Sequence, residues 1–511
     1  MSDLSRQQWG SKFGFLISAI GSAVGLGNIW RFPHVLYSNG GGAFLIPYFI
    51  AMFTTAIPLL ILEYTIGSKF RGTSPLSWAR IRKKYEWLGW LPAFLAGFIV
   101  FYYSVILAWA LNYTWFSFTM AWGYDPNTFF FVNFLNISDG PLRLGSINVP
   151  ILIGLVMLWG SAYLFCSKRV DKGIETCNKI LMPLMFVILI FIIIRSLMLP
   201  GAAAGLNTLF TPDFSAMANP RIWLAAYGHV FFSCSLAMGI MITYSSYLPK
   251  DAELVNSAMT TGFANSWLEI LCAIGVFAIL GFMAQASGVG VTEVVSSGVG
   301  LAFIAFPSVF NTMDGGLGHI MGIMFFACLI VTGYTSYISL LEAFIAPMSE
   351  KFKMSRKKAY AVFTLAGFSL SAIFATGAGL YILDIADYFI NNFGLVFVGL
   401  CQALIIGWIV KVSYFRNLAN ENTFIKIGKW WDICIKYVIP VTMTASLFLA
   451  LINILRDGYG DYPAAALAIY GYSVIAAAIV FSFVFQKIKW ATQLEMPGVT
   501  EPPPSRSGGL I

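Results

Sequence analysis

The chain has 511 residues, 58% of them hydrophobic and only 11% charged, with a formal net charge of +8; soluble domains carry about 25% charged residues. So few charges cannot coat a water-facing surface of this length. A soluble enzyme, a nucleic-acid binder, a secreted disulfide scaffold and a disordered chain are excluded. Apolar runs of about 20 residues, each long enough to cross ~30 Å of hydrocarbon, recur from end to end. They predict twelve helical spans at 13–36, 41–68, 88–122, 147–166, 173–199, 218–248, 254–284, 316–346, 357–377, 382–410, 430–455 and 464–486. The fold class is an all-α polytopic membrane protein in a lipid bilayer.

The basic residues set its orientation. With the N-terminus inside, 26 of the 31 Lys and Arg fall on the inner side, four fall outside and Arg31 lies in the first span. That asymmetry satisfies the positive-inside rule and puts both termini in the cytoplasm. The run Arg80–Ile81–Arg82–Lys83–Lys84 is a topology signal before it is a headgroup or phosphate site. None of the seven cysteines pairs up in an outer loop, so no structural disulfide is expected. Asn136–Ile137–Ser138 is an outer glycosylation sequon, and the Pro- and Gly-rich stretch from Glu501 to Gly509 reads as a disordered tail.

Two spans break the rules for a buried helix. The first carries Gly21, Gly25 and Gly27 at mid-membrane, followed by Asn28 and Arg31. Each glycine weakens a helix by about 1 kcal/mol relative to Ala. The sixth reads Phe231–Phe232–Ser233–Cys234–Ser235–Leu236–Ala237–Met238–Gly239. Close packing through small residues accounts for Gly21 and Gly25 alone, but not for the polar residues that follow. Paired breaks in the first and sixth spans point to an inverted repeat of five helices plus five, with a ligand held between discontinuous helices. No metalloprotease, nucleophile-elbow, Cys-x-x-Cys or phosphate-loop motif is present, so no enzymatic reaction is assigned.

Gly25–Leu26–Gly27–Asn28–Ile29–Trp30–Arg31–Phe32–Pro33, followed by Asn39–Gly40–Gly41–Gly42–Ala43–Phe44–Leu45–Ile46–Pro47–Tyr48, resembles the signature of the neurotransmitter:sodium symporter family, and in particular its bacterial amino-acid members. The resemblance runs to the twelfth span. It implies sodium-driven uptake of a small amino acid or related zwitterion by alternating access, in the cell (plasma or inner) membrane. The implied layout is an N-terminal segment with the inner gate at 1–12, repeats at 13–199 and 218–410, helices eleven and twelve at 430–486, and a cytoplasmic tail at 487–511.

The resemblance also implies site residues. A first sodium ion would take oxygens of Ala23, Asn28, Ser233 and Asn265, completed by the substrate carboxylate. A second would take carbonyls of Gly21, Val24 and Thr332 and hydroxyls of Thr335 and Ser336. The substrate would lie against Ala23, Gly25, Leu26, Gly27 and Ser233. Tyr103 would reach its carboxylate, and Ile99, Phe232, Ser235, Met238, Ser336 and Leu340 would surround its side chain. Monoamine-carrying relatives have Asp at the position of Gly25, so Gly implies a substrate that brings its own carboxylate. Arg31 and Asp387 match an outer gate. Arg6 and Glu350 match an inner one, supported by Trp9, Ser246 and Tyr247. Glu269, where chloride-requiring relatives have Ser, implies no chloride requirement and a proton carried on the return step. His229 replaces the usual Gln beside it. A neutral hydrophobic α-amino acid is the first expectation. A taurine-like or other ω-amino acid, proton coupling in place of sodium, and a non-transporting sensor are the alternatives.

Overall fold

A computed structural model describes residues 7–295, 298–313 and 315–491. Arg6 and the stretch Glu501 to Gly509 lie outside the described residues. Ten continuous helices are long and apolar enough to cross a membrane, and an eleventh crossing is the pair Lys12–Ala23 and Leu26–Ser38, bent by 53°. The sixth expected span is the pair of shorter helices Pro220–Ser233 and Ile240–Ser245, interrupted at 234–239. Spans 3, 7 and 8 (Lys83–Ser117, Leu254–Ser287 and Leu317–Lys351) are mostly buried within the protein. Spans 11 and 12 (Lys429–Asp457 and Ala464–Lys487) keep only 22% of their apolar window buried and face outward.

The ends of several helices differ from the expected bounds. The third span stops at Ser117 rather than 122, because Met120 and Gly123 turn the chain with positive φ of 48° and 60°. The sixth is discontinuous, as expected, with halves Pro220–Ser233 and Ile240–Ser245. The tenth runs Gly379–Ile409. All seven cysteines are free.

The two breaks have different local causes. Ser11 caps the first half-helix by accepting from the Gly14 amide at 2.9 Å. That helix stops at Ala23 because Val24 (φ −77°, ψ 102°) and Gly25 (φ −126°, ψ −169°) are extended. The second half restarts at Leu26, and Asn28 Oδ1 reaches back to accept from the Gly25 amide at 2.9 Å. In the sixth span Ser235, Ala237 and Gly239 have φ of 52°, 58° and 72°. Left-handed backbone costs the two non-glycine residues about 1–2 kcal/mol each. Ser235 Oγ donates to the Ser22 carbonyl at 2.9 Å, and the Ala237 amide donates to Glu63 Oε1 at 3.0 Å. These contacts hold the turn in place and tie the two interrupted spans together.

Candidate functional site

Between the breaks lies a cavity of about 750 Å³. All twelve residues expected around the substrate line it, including Gly25, Tyr103, Phe232, Met238, Ser336 and Leu340. It extends past Trp30 and Arg31 to Asp384, Asp387 and Tyr462 on the outer side. Residues on both sides of the two breaks line this space; a half-helix N-terminus suits an anion and a C-terminal carbonyl end a cation.

Gly25 marks a close approach in the cavity wall. A Cβ there would lie 3.1 Å from Ser336 Oγ and 3.5 Å from the Tyr103 hydroxyl. The Tyr103 hydroxyl is buried beside Ser336 and the Leu26 backbone and makes no hydrogen bond of full geometry among the described residues. An orphaned buried hydroxyl costs about 1–3 kcal/mol, so an acceptor brought to this spot satisfies a donor that the protein leaves open. The remaining wall, with Ile99, Phe232, Met238 and Leu340, is apolar.

Beside it the expected first-site residues form one connected network. Asn28 Nδ2 donates to Asn265 Oδ1 at 2.8 Å, and Asn265 Nδ2 donates to Ser233 Oγ at 2.6 Å. Ser233 Oγ donates in turn to Glu269 Oε1 at 2.5 Å. Asn265 and Glu269 share a face of span 7, one turn apart. Glu269 is fully buried, with the His229 Nε2 atom 2.8 Å from Oε1 and the Tyr48 hydroxyl 2.5 Å from Oε2. Its carboxylate accepts from Ser233 and Tyr48 and contacts the His229 ring, and no Lys or Arg pairs with it among the described residues. Tyr48 also lies 2.7 Å from Ser266 Oγ.

The residues of the expected second site converge from the first and eighth spans. Thr335 Oγ1 donates to the carbonyls of Gly21 and Thr332 at 2.7 and 2.8 Å. Ser336 Oγ lies 3.2 Å from the Val24 carbonyl and 3.1 Å from that of Ser22. Neutral carbonyls and hydroxyls are the donor set that suits a monovalent cation bound weakly enough to leave.

The gate residues fall at the two ends. Arg31 and Asp387 both line the outer part of the cavity but hold other partners. The Arg31 guanidinium stands 5.0 Å over the Phe232 ring, and Asp387 Oδ1 accepts from Tyr102 at 2.7 Å. No ion pair within 4.0 Å joins the two among the described residues. The inner end is closed. Trp9 Nε1 donates to the Tyr244 carbonyl at 2.8 Å and the Trp9 amide to the Tyr247 carbonyl at 3.2 Å. Glu350 Oε2 accepts from the Thr73 amide at 3.0 Å.

Tyr247 also takes part in a second inner cluster that the sequence does not reveal. Its hydroxyl donates to Glu342 Oε1 at 2.7 Å, and Arg356 meets both Glu342 oxygens at 2.7 Å. Tyr360 adds a further hydrogen bond to Glu342. Glu342 and Arg356 lie on different spans with unremarkable sequence neighbours, so no motif marks them. Tyr48 and Glu63 are also missed, although Tyr48 closes the second glycine-rich motif.

The chain was compared with known proteins. The model of the sodium:neurotransmitter symporter family matches residues 6–128 and 124–493. An uncharacterized sodium-dependent transporter of Methanocaldococcus jannaschii is 40% identical over 490 residues, 96% of this chain and 99% of the relative. A sodium- and chloride-dependent GABA transporter 2 of Rattus norvegicus is 29% identical over 88% of this chain and 81% of its own length. A human sodium- and chloride-dependent taurine transporter is 28% identical over 93% and 83%. With its broken first and sixth spans around a central cavity, the chain belongs to the sodium:neurotransmitter symporter family and is a multi-pass, sodium-dependent membrane transporter.

Proposed function

We propose that the protein imports a neutral, hydrophobic α-amino acid together with two sodium ions by alternating access. One observation carries the substrate reading: Gly25, Ser336 and the Tyr103 hydroxyl line one wall of the central cavity, with the apolar Ile99, Met238 and Leu340 lining the rest. A substrate carboxylate fits there, next to the amides at the start of the Leu26–Ser38 half-helix, with an apolar side chain directed at Met238, Ile99 and Leu340. The first sodium would be held by Ala23, Asn28, Ser233 and Asn265 and by that same carboxylate. A shared ligand couples the two bindings, since each raises the affinity for the other. The second would be held by Gly21, Val24, Thr332, Thr335 and Ser336.

Binding from outside then brings Arg31 to Asp387 over Phe232 and Tyr103. Release at the Trp9–Tyr247 and Glu350 end opens the inner path, with Arg6 as the partner of Glu350. Each net charge moved inward gains about 2.3 kcal/mol per 100 mV. The two five-helix repeats, spans 1–5 and 6–10, supply the moving and static parts. Both termini lie in the cytoplasm and the bilayer is the cell membrane. Glu269 supplies the negative charge that chloride provides in the relatives named for chloride dependence. Uptake into proteoliposomes from a panel of amino acids, with sodium against potassium outside, tests this reading.

The contact of His229 with Glu269 favours a second reading in which protons move through this pair. Proton export during the return step is compatible with sodium coupling. Full uptake without sodium, driven by an inward proton gradient, is the outcome that replaces it.

A further inference from the structure

The inner end of span 8 carries an ion pair that neither the sodium sites nor the gates use. Lys351, the residue after Glu350, is fully buried, and its Nζ lies 2.5 Å from Oε1 of Glu86, which is also fully buried. Such a pair is costly to desolvate, and loss of one partner leaves an unpaired buried charge. The remaining faces of the ammonium are aromatic. Nζ stands 5.6 Å from the Trp90 ring centroid and 4.6 Å from that of Trp490. Trp90 Nε1 also donates to Glu86 Oε1 at 2.9 Å.

Trp490 comes from the segment that follows span 12, and this segment and the last turn of span 12 are fastened at several points. The Ala491 amide donates to the Lys351 carbonyl at 3.1 Å. Gln486 Nε2 donates toward the carbonyls of Lys84 and Lys83 at 3.3 and 3.4 Å. Phe485 packs on Trp90 at 5.0 Å and on Phe352 at 6.0 Å. The strap thus covers the inner ends of spans 3 and 8 together.

We propose that Trp490, acting through the caged ammonium of Lys351, is a positioning residue for transport: it fixes the last turn of span 8 and so the place of Glu350. Glu350 is held on one side by Thr73. The Lys351 cage holds the same turn on another side, so the inner acid has one defined position from which to pair and release. A desolvated cation is attracted to the face of an aromatic ring. Span 12 is therefore part of the gating machinery, although it lines no part of the cavity. The proposal rests on the inner-gate role given to Glu350 above.

The test uses the full-length protein in proteoliposomes, with the best-transported of the twenty amino acids as probe. Trp490→Ala is expected to lower the maximal uptake rate threefold or more, with KM and equilibrium substrate affinity within twofold of wild type. Trp490→Phe, which keeps an aromatic face, is expected to keep most of the rate. An unchanged rate in Trp490→Ala overturns the proposal. So does a parallel loss of rate, affinity and melting temperature, which marks a plain folding contact, and so does an equal loss in Trp490→Phe. Glu350→Gln, measured alongside, separates the two readings. A full rate in that variant removes the inner-gate role of Glu350, whereas a full rate in Trp490→Ala removes the cage.

Discussion

Ser233 stands between Glu269 and Asn265, donating its hydroxyl to the carboxylate at 2.5 Å and accepting from the amide at 2.6 Å. A buried acid is thereby linked through Asn265 and Asn28 to the Gly25 amide at the floor of the cavity. Charge at Glu269 and ligands at the break of the first span are electrostatically coupled through this chain. The transport account depends on that coupling.

Replacement of Glu269 by Ser removes the fixed negative charge and leaves a hydroxyl facing His229 and Tyr48. The Glu269→Ser variant is expected to need chloride for uptake, with at least a fivefold loss when gluconate replaces it. Wild type is expected to be indifferent to that exchange. Uptake by both proteins in the two anions checks this.

Asn28→Ala removes the amide that joins Asn265 to the Gly25 backbone. Sodium-stimulated substrate binding is expected to fall at least tenfold while the protein stays folded. Scintillation binding across a sodium titration is the measurement, and an unchanged sodium dependence contradicts the first-site assignment.

Gly25→Ala places a methyl 3.1 Å from Ser336 Oγ and 3.5 Å from the Tyr103 hydroxyl, in the space assigned to the carboxylate. The backbone there is extended, so Ala introduces no φ strain. Substrate affinity is expected to drop tenfold or more with a melting temperature close to wild type. A thermal-shift assay with and without substrate reads both.

Thr335→Val keeps the shape of the side chain and removes the hydroxyl that meets the Gly21 and Thr332 carbonyls. Half-maximal sodium is expected to rise at least threefold, read from uptake at fixed substrate. An unaltered sodium requirement contradicts the second-site assignment.

Glu342→Gln leaves the Arg356 guanidinium beside a neutral amide in a nearly dry site. Breaking a buried ion pair costs about 3–5 kcal/mol, so thermal unfolding in detergent is expected to occur well below wild type. Glu342→Gln combined with Arg356→Gln is expected to recover part of the loss.

These residues also show what the sequence makes legible. The break of the first span can be read because glycine and Asn must cluster where a buried helix ends and restarts. The twelve crossings can be read because apolar length and basic asymmetry are local properties. Arg31, Asp387 and Glu269 stand out as charges within apolar runs. Glu342 with Arg356 and Glu86 with Lys351 do not, because charges near helix ends look like ordinary topology signals. Their burial arises only when distant segments pack, as with Glu86 and Lys351, 265 positions apart. The left-handed turn at Ser235 and Ala237 is hidden for the same reason, since Glu63 and Ser22 hold it from other spans. The partners that Arg31 and Asp387 hold are a matter of conformation, which the sequence does not specify.

The central claim is that a sodium gradient concentrates a neutral α-amino acid through this cavity. Proteoliposomes loaded with potassium and diluted into sodium or potassium buffer, with labelled amino acids and chloride or gluconate, measure it directly. The expected result is transient accumulation above the external concentration in sodium only, equal in both anions, and abolished by Asn28→Ala. Equal uptake in sodium and potassium, or accumulation that requires chloride, contradicts the account.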